Sequence, residues 1–292
     1  GGSAIDTSIN NAGVQLVSVG GIATSTAIYN AGKQIISAGG LATSTTISGG
    51  QQHILSGGSA TSTIISAGGG YQEVNLGGSA IHTTLRGGSQ FVRSGGSATS
   101  TTIYIGGYQE VGGSVTSTTI HSGQQRVDIG GSATSTIINS GGLQTISGST
   151  TSTIINSGGM QKVYSRGMAT ESTIDNGKQY VYSGGLATGT TIHNFGEQFV
   201  SNGGLATGTT IGNFGRQSIS SGGSATDTTI NIGGEQFIFD GGSATSIIIN
   251  SGGSQVVSSG GEATSTTIYS RGEQVIFNGG SATSTTINDF GY

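Results

Sequence analysis

Apolar and polar residues alternate along this chain in short runs, and the alternation restarts every 17 to 20 residues. Repeats open at Gly1, Gly20, Gly39, Gly57, Gly77, Gly95, Gly112, Gly130, Ser147, Arg166, Gly184, Gly203, Gly222, Gly241, Gly260 and Gly279. From Gly1 to Gly279 there are fifteen whole repeats with a mean spacing of about 18.5 residues, followed by a partial sixteenth. Two segments of constant length recur. In one, an Ala-type residue stands five positions before Ile or Leu, as in Ala23/Ile28, Ala98/Ile103 and Ala282/Ile287. In the other, Gln is followed two positions later by Val or Ile, as in Gln34/Ile36, Gln161/Val163 and Gln255/Val257. Length changes are confined to the glycine-rich joints between them. Constant strands with variable turns predict a solenoid, because turns tolerate insertion while a one-residue slip in a strand reverses every side chain. The pattern therefore predicts an all-β chain: a right-handed parallel β-helix, one coil per ~19-residue repeat, of about fifteen coils. At roughly 4.8 Å per coil the stack would be about 70 Å long. A repeat this short cannot bury its apolar face alone and must stack on its neighbours. It is also too short for a propeller blade.

Period two assigns the faces. In Thr24-Ser25-Thr26-Ala27-Ile28 the first, third and fifth residues are expected inside. The position of Ser25 accepts Asp6, His82, Glu171 and Asp227 in other repeats, so it is expected outside. In the second segment Gln and Val/Ile point inward, while the residue between them is variously Glu73, Arg126, Lys162 or Phe199. The expected internal ladder includes Ile28, Ile103, Ile287, Gln34, Gln161 and Gln255. A buried glutamine needs partners for both ends of its amide, and stacking lets each amide bond to the next coil. The Gly-Gly pairs are expected to supply positive-φ corners.

Composition changes this picture little. Glycine accounts for 58 of 292 residues, which in isolation suggests low complexity. Disordered chains are rich in charge and proline, however, and here only 8% of residues are charged and proline is absent. Cysteine is absent too, which excludes disulfides and thiolate metal sites. A net charge of −4 argues against nucleic acid, whose phosphates need basic clusters. No run of about 18 apolar residues is present, so no helical span and no membrane contact are expected. No secretory signal is visible, and both ends fall inside a repeat. Residues 1–292 are accordingly read as one repeat domain from a longer protein.

Candidate chemistry is sparse. His53, His82, His121 and His193 occupy no shared strand position in adjacent coils, so neither a metal nor another cofactor is expected. The joints also lack the recurrent Asp of calcium-binding β-rolls. Glu73 and Glu110 share an outward column two coils apart, with Phe91 between them, and could imitate the carboxylate pair of a carbohydrate-active β-helix. Nothing else converges there, and no enzyme is expected. Thr-x-Thr, as at Thr24/Thr26, resembles an ice-binding array, but the parity puts those threonines on the face of the Ile ladder. Lys178, Glu197, Arg216 and Glu235 each precede a Gln and form one column of alternating charge. Tyr180, Phe199 and Phe237 directly follow their Gln, and Tyr182, Phe239 and Phe277 lie two positions further on. These columns read either as a solvated, shielding surface or as a stripe that meets another copy. Two serine columns recur outward. Ser59, Ser97, Ser132, Ser243 and Ser281 precede the Ala. Ser25, Ser44, Ser62, Ser100, Ser135, Ser246, Ser265 and Ser284 follow the Ala-Thr pair. No Asn-x-Ser/Thr sequon is present, so any sugar would be O-linked.

The unit Gly-Gly-Ser-Ala-Thr-Ser-Thr-x-Ile-x-x-Gly-Gly-x-Gln-x-Val resembles the passenger repeats of self-associating autotransporter adhesins, along the whole chain. The resemblance implies display on the bacterial surface after export through the outer membrane, and a signal peptide and membrane barrel elsewhere in the protein. It also implies adhesion to a host-cell receptor or glycan, autoaggregation with other copies, and biofilm formation. It further implies a dedicated heptosyltransferase that modifies repeat serines in the cytoplasm before export. Absence of cysteine fits passage through the periplasm.

Overall fold

The computed structural model describes residues 1–288 and 290–292. It contains two compact units, residues 1–137 with 141–144 and residues 138–140 with 145–292. Both are built from the same coil of three short strands, and no helix occurs among the described residues. In the first unit one coil consists of Ile22–Thr24, Ala27–Tyr29 and Lys33–Ile36. It pairs in parallel with the next coil through Ala23↔Ala42, Ile28↔Ile47 and Gln34↔Gln52. In the second unit Leu186–Thr188, Thr191–His193 and Glu197–Val200 pair in the same way with the following coil, with Gln198↔Gln217 in register. The chain is therefore a parallel β-solenoid of about fifteen turns at ~19-residue spacing. Joints absorb the length changes. Three residues follow Tyr29 before the next strand and two follow Ser48, yet Gln34 still faces Gln52.

The inside of each coil is narrow and regular. Ala23, Thr26, Ile28, Gln34 and Ile36 are all buried, and the same positions are buried coil after coil. Burying an Ile or Val side chain contributes about 1.5–3 kcal/mol, so these two columns supply most of the hydrophobic stabilisation. Ile28 and Ile103 are fully covered, as expected; Ile287 keeps register with Ile268 on the last coil and is 57% exposed.

The inward column of the first strand differs from the period-two expectation. Thr24 is half-buried on the outer face, and its neighbour Ala23 points inward. The cause is Ser25, whose φ of 55° places it in the left-handed region. One such residue interrupts the pleat, so Ala23 and Thr26, three positions apart, both face the core. Thr24 and Thr26 thus lie on opposite faces, and the paired flat array that an ice-binding surface requires does not form. The Gly-Gly pairs also differ from expectation. In most pairs only the first glycine has positive φ, as Gly130 at 85°; in Gly112-Gly113 neither does, and Gly68 and Gly69 both do. The second is needed for space: a Cβ on Gly131 would overlap the Val111 carbonyl oxygen of the preceding coil.

Glutamine forms a ladder through each unit, with threonine as its second partner. Gln52 Nε2 donates to Gln34 Oε1 at 2.7 Å and to Thr45 Oγ1 at 3.2 Å. Its Oε1 accepts from Gln72 Nε2 at 2.6 Å and from Thr63 Oγ1 at 3.2 Å. Two donors and two acceptor sites are thus all filled. In the second unit Gln161 accepts from Gln179 at 2.5 Å and Gln255 accepts from Gln274 at 2.7 Å.

Two buried hydroxyls break this economy, those of Thr136 and Thr150. Thr150 takes the place of the inward alanine, and its Oγ1 is buried without a partner. Val115 shows that the column accommodates a β-branched apolar residue. Thr150→Val is therefore expected to raise stability by about 1–2 kcal/mol, because it removes an unsatisfied polar group at constant shape. Urea unfolding would register this as a higher midpoint at unchanged slope.

Candidate functional site

The outer face of the third strand in the second unit carries the charged and aromatic columns. Backbone register places Lys178 beside Glu197, Glu197 beside Arg216, and Arg216 beside Glu235. The ion pairs form two by two: Lys178 Nζ to Glu197 Oε2 at 2.7 Å and Arg216 Nη2 to Glu235 Oε2 at 2.8 Å. The hydrogen bond it donates to Glu197 raises the Lys178 ammonium above its ordinary value. Each cation also covers a ring of the next coil, Lys178 over Phe199 at 5.7 Å and Arg216 over Phe237 at 4.7 Å. The rings themselves make two clusters where one stripe was expected. Tyr180 stacks on Phe199 at 4.9 Å and on Tyr182 at 6.0 Å, and Tyr182 stacks on Tyr164 at 5.3 Å. Phe237 and Phe239 form the second cluster at 6.0 Å. Ser218 interrupts the column between Phe199 and Phe237. Phe277 belongs to neither cluster and is 57% exposed. Ring pairs contribute about 0.5–1.5 kcal/mol beyond burial. Exposed ion pairs contribute about 0–1 kcal/mol.

The first unit holds a second network, which sequence reading reduced to a pair of carboxylates. Arg93 bridges Glu73 at 2.8 Å and Glu110 at 2.9 Å, and Arg126 joins Glu110 at 3.1 Å to Asp128 at 2.8 Å. His53 Nδ1 lies 3.0 Å from Glu73. Burial works to raise the Glu73 carboxyl, but the hydrogen bond and charge of Arg93, with His53 beside it, outweigh this and hold it below the usual range. Arg93 itself is raised by the Glu73 hydrogen bond. A carboxylate held ionised in this way is a poor general acid, so Glu73 does not suit the acid role of a glycosidase pair. The missed element was Arg93, legible as the outward residue three positions after Gln90. No group of three His, Cys, Asp or Glu among the described residues could hold a metal ion.

The serine columns fall in two different places. Ser59, Ser97, Ser132, Ser243 and Ser281 lie at the start of first strands; Ser59 and Ser243 are half-buried and the others exposed. Ser25, Ser44, Ser62, Ser100, Ser135, Ser246, Ser265 and Ser284 stand at the bend between first and second strands, with φ between 55° and 59°. All are exposed except half-buried Ser100. Ser117 and Ser152 occupy the same bend at φ 58° and 56°. They escape an Ala-Thr search because their repeats carry Val115 and Thr150 in place of the alanine.

A solved structure described as a TibC-catalysed hyper-glycosylated TibA fragment is 42% identical to this chain, with a TM-score of 0.80, and covers 97% of this chain and all of that one. The chain belongs to the autotransporter adhesin stalk family. The family model described as adhesin of bacterial autotransporter system, probable stalk, independently matches residues 233–291. Members of this stalk family are exported, surface-exposed proteins, and the match places the repeat described above among them. Two further structures give TM-scores of 0.23 and 0.20: the mannuronan C-5 epimerase AlgE6 A-module of Azotobacter vinelandii and the alginate lyase AlyGC. Their identities are 10% and 6%, over 99% and 100% of this chain and 91% and 68% of theirs. Likeness at that level bears on neither the fold nor the activity of this stalk. No curated protein matches the sequence.

Proposed function

We propose that this stalk is a passenger segment displayed on the bacterial cell surface, where it mediates host-cell adhesion, autoaggregation and biofilm formation. In this reading its repeat serines accept O-linked heptose from a dedicated transferase in the cytoplasm before export. The observation that carries it is the 42% identity to a glycosylated relative over 97% of the chain, joined to one exposed serine hydroxyl at the same bend in most coils. The relative's own description names a hyper-glycosylated fragment and the enzyme that modified it. Repetition supplies the mechanism of adhesion. Weak, identical contacts along a stack of coils add through avidity, so no single strong site is required. Sugar would hydrate a surface that has few charges of its own. Intact mass of the protein from its native host tests the modification. Regular increments of one sugar are expected, and the bare polypeptide mass would sink the reading.

Other copies of the chain are the proposed partners for autoaggregation, and the columns Lys178, Glu197, Arg216, Glu235 and Tyr180, Tyr182, Phe199, Phe237, Phe239 are the proposed contact. Their support is solvent-reachable charge of both signs beside half-buried rings, with Phe239 exposed. Sedimentation of the bare protein should show concentration-dependent oligomers. The double variant Phe199→Ser, Glu235→Lys should weaken them at least tenfold. A wild type that stays monomeric at high concentration would move the contact elsewhere.

A further inference from the structure

We propose that the left-handed bend, and not the column before the alanine, is where sugar is attached, and that its interruption leaves four consecutive coils bare. This rests on the glycosylation reading above and assigns its sites. Sixteen residues stand at the bend, from Asp6 to Ser284, all with φ between 51° and 68°. Such a conformation suits glycine and asparagine and is costlier for serine. Elsewhere in the chain positive-φ positions are mostly Gly or Asn, with Ala, Arg or Phe at seven and serine only at Ser122 and Ser221. At the bend the preference is reversed. Ten of the sixteen are serine, two are glycine and none is asparagine. The backbone does not ask for serine there, so the hydroxyl is what the position retains.

Two further observations separate the columns. The bend never carries an apolar residue, whereas the column before the alanine holds Ile22, Leu41, Met168, Leu186 and Leu205. Serine there behaves as a strand residue interchangeable with aliphatics. The bend also borders a groove. Ser44 and Ser62, with Thr46, Ile64, His82 and Thr84, line about 370 Å³ in the first unit. In the second, Ser246 and Ser265, with Ile248 and Thr267, border about 480 Å³. A pyranose on either serine has an aliphatic side chain beneath its apolar face and threonine hydroxyls at its rim, in a space of ligand-pocket size.

The co-reactant is a nucleotide-activated sugar. The bond from its anomeric carbon to serine Oγ forms as the bond from that carbon to the diphosphate oxygen breaks. The nucleoside diphosphate leaves, and the hydroxyl proton passes to a base on the transferase. Coils with Glu171, Gly189, Gly208 and Asp227 at the bend offer no acceptor, and these four are consecutive. They are the coils whose third strands carry Lys178, Glu197, Arg216 and Glu235. The columns proposed for self-association therefore lie on coils without sugar.

Co-expression of the full chain with the TibC transferase, followed by peptide mapping, tests this. Sugar is expected on Ser62, Ser100, Ser117 and Ser246, and absent from Ser59, Ser97, Ser243 and every peptide between Glu171 and Asp227. Ser62→Gly, which keeps the bend's φ, should lose one sugar increment without loss of folding. Gly189→Ser and Gly208→Ser should each gain one. Sugar on the column before the alanine, on both columns alike, or inside the four-coil gap of the wild type would overturn the assignment while leaving glycosylation itself standing. Failure of both glycine-to-serine variants to gain sugar would overturn it as well. A chain bare throughout would remove the glycosylation reading and this assignment together.

Discussion

Replacing Gln198 by leucine is expected to lower stability by about 2–5 kcal/mol, more than most single substitutions. The leucine nearly matches the glutamine in volume, so packing is not the cause. Gln198 Nε2 donates to Gln179 Oε1 at 2.6 Å and to Thr190 Oγ1 at 3.3 Å. Its Oε1 accepts from Gln217 Nε2 at 2.7 Å and from Thr209 Oγ1 at 3.4 Å. Removing the amide strands a donor on Gln217 and thins the partners of Gln179, both fully buried. Each buried polar group left unsatisfied costs about 1–3 kcal/mol. In water-free surroundings neither neighbour can recover its bond elsewhere. Because a solenoid couples only adjacent coils, the damage should spread to the coils on either side and no further. Hydrogen exchange would show protection lost over about three coils, and denaturant unfolding would give the total. An unchanged midpoint would mean that the amides are not the joint between coils.

The two glycines of one pair should differ sharply when each is changed to alanine. Gly130 has φ 85° and nothing within 4 Å of where its Cβ would stand. Its change to alanine should cost about 1–2 kcal/mol, the ordinary penalty of a left-handed non-glycine residue. Gly131 has no such φ, but its Cβ would overlap the Val111 carbonyl of the coil before it. That carbonyl is fixed by the ladder and accepts a hydrogen bond from Asp128 N at 2.9 Å. Neither backbone can retreat without opening the stack, so Gly131→Ala should cost about 3 kcal/mol or more. Thermal unfolding of the two variants side by side would check this, and equal losses would refute the division of labour.

Much of this protein is legible in its sequence. Repeat length, strand position, the inward Gln and Val/Ile pair, and the stacking of glutamines follow from periodicity alone, because a ladder of identical coils places equal residues over each other. The family was legible for the same reason: its signature is the whole repeat, not a few catalytic residues. Two things were not legible. Period two assumes an unbroken pleat, and Ser25 with its counterparts adopts a left-handed bend that nothing in a serine announces. That bend turned Thr24 outward and Ala23 inward. The pairing of outward charges also needed three dimensions. Arg93 reaches Glu73, 20 residues back, and Glu110, 17 residues on, because side-chain length and coil spacing match. The sequence by itself determined the coil, its period and what fills it, since burial and hydrogen bonding repeat with the residues. The tertiary structure alone decided which hydroxyls stand on the outer bend and which charges neutralise each other, since both depend on backbone φ and on distances between coils that no spacing in the chain encodes.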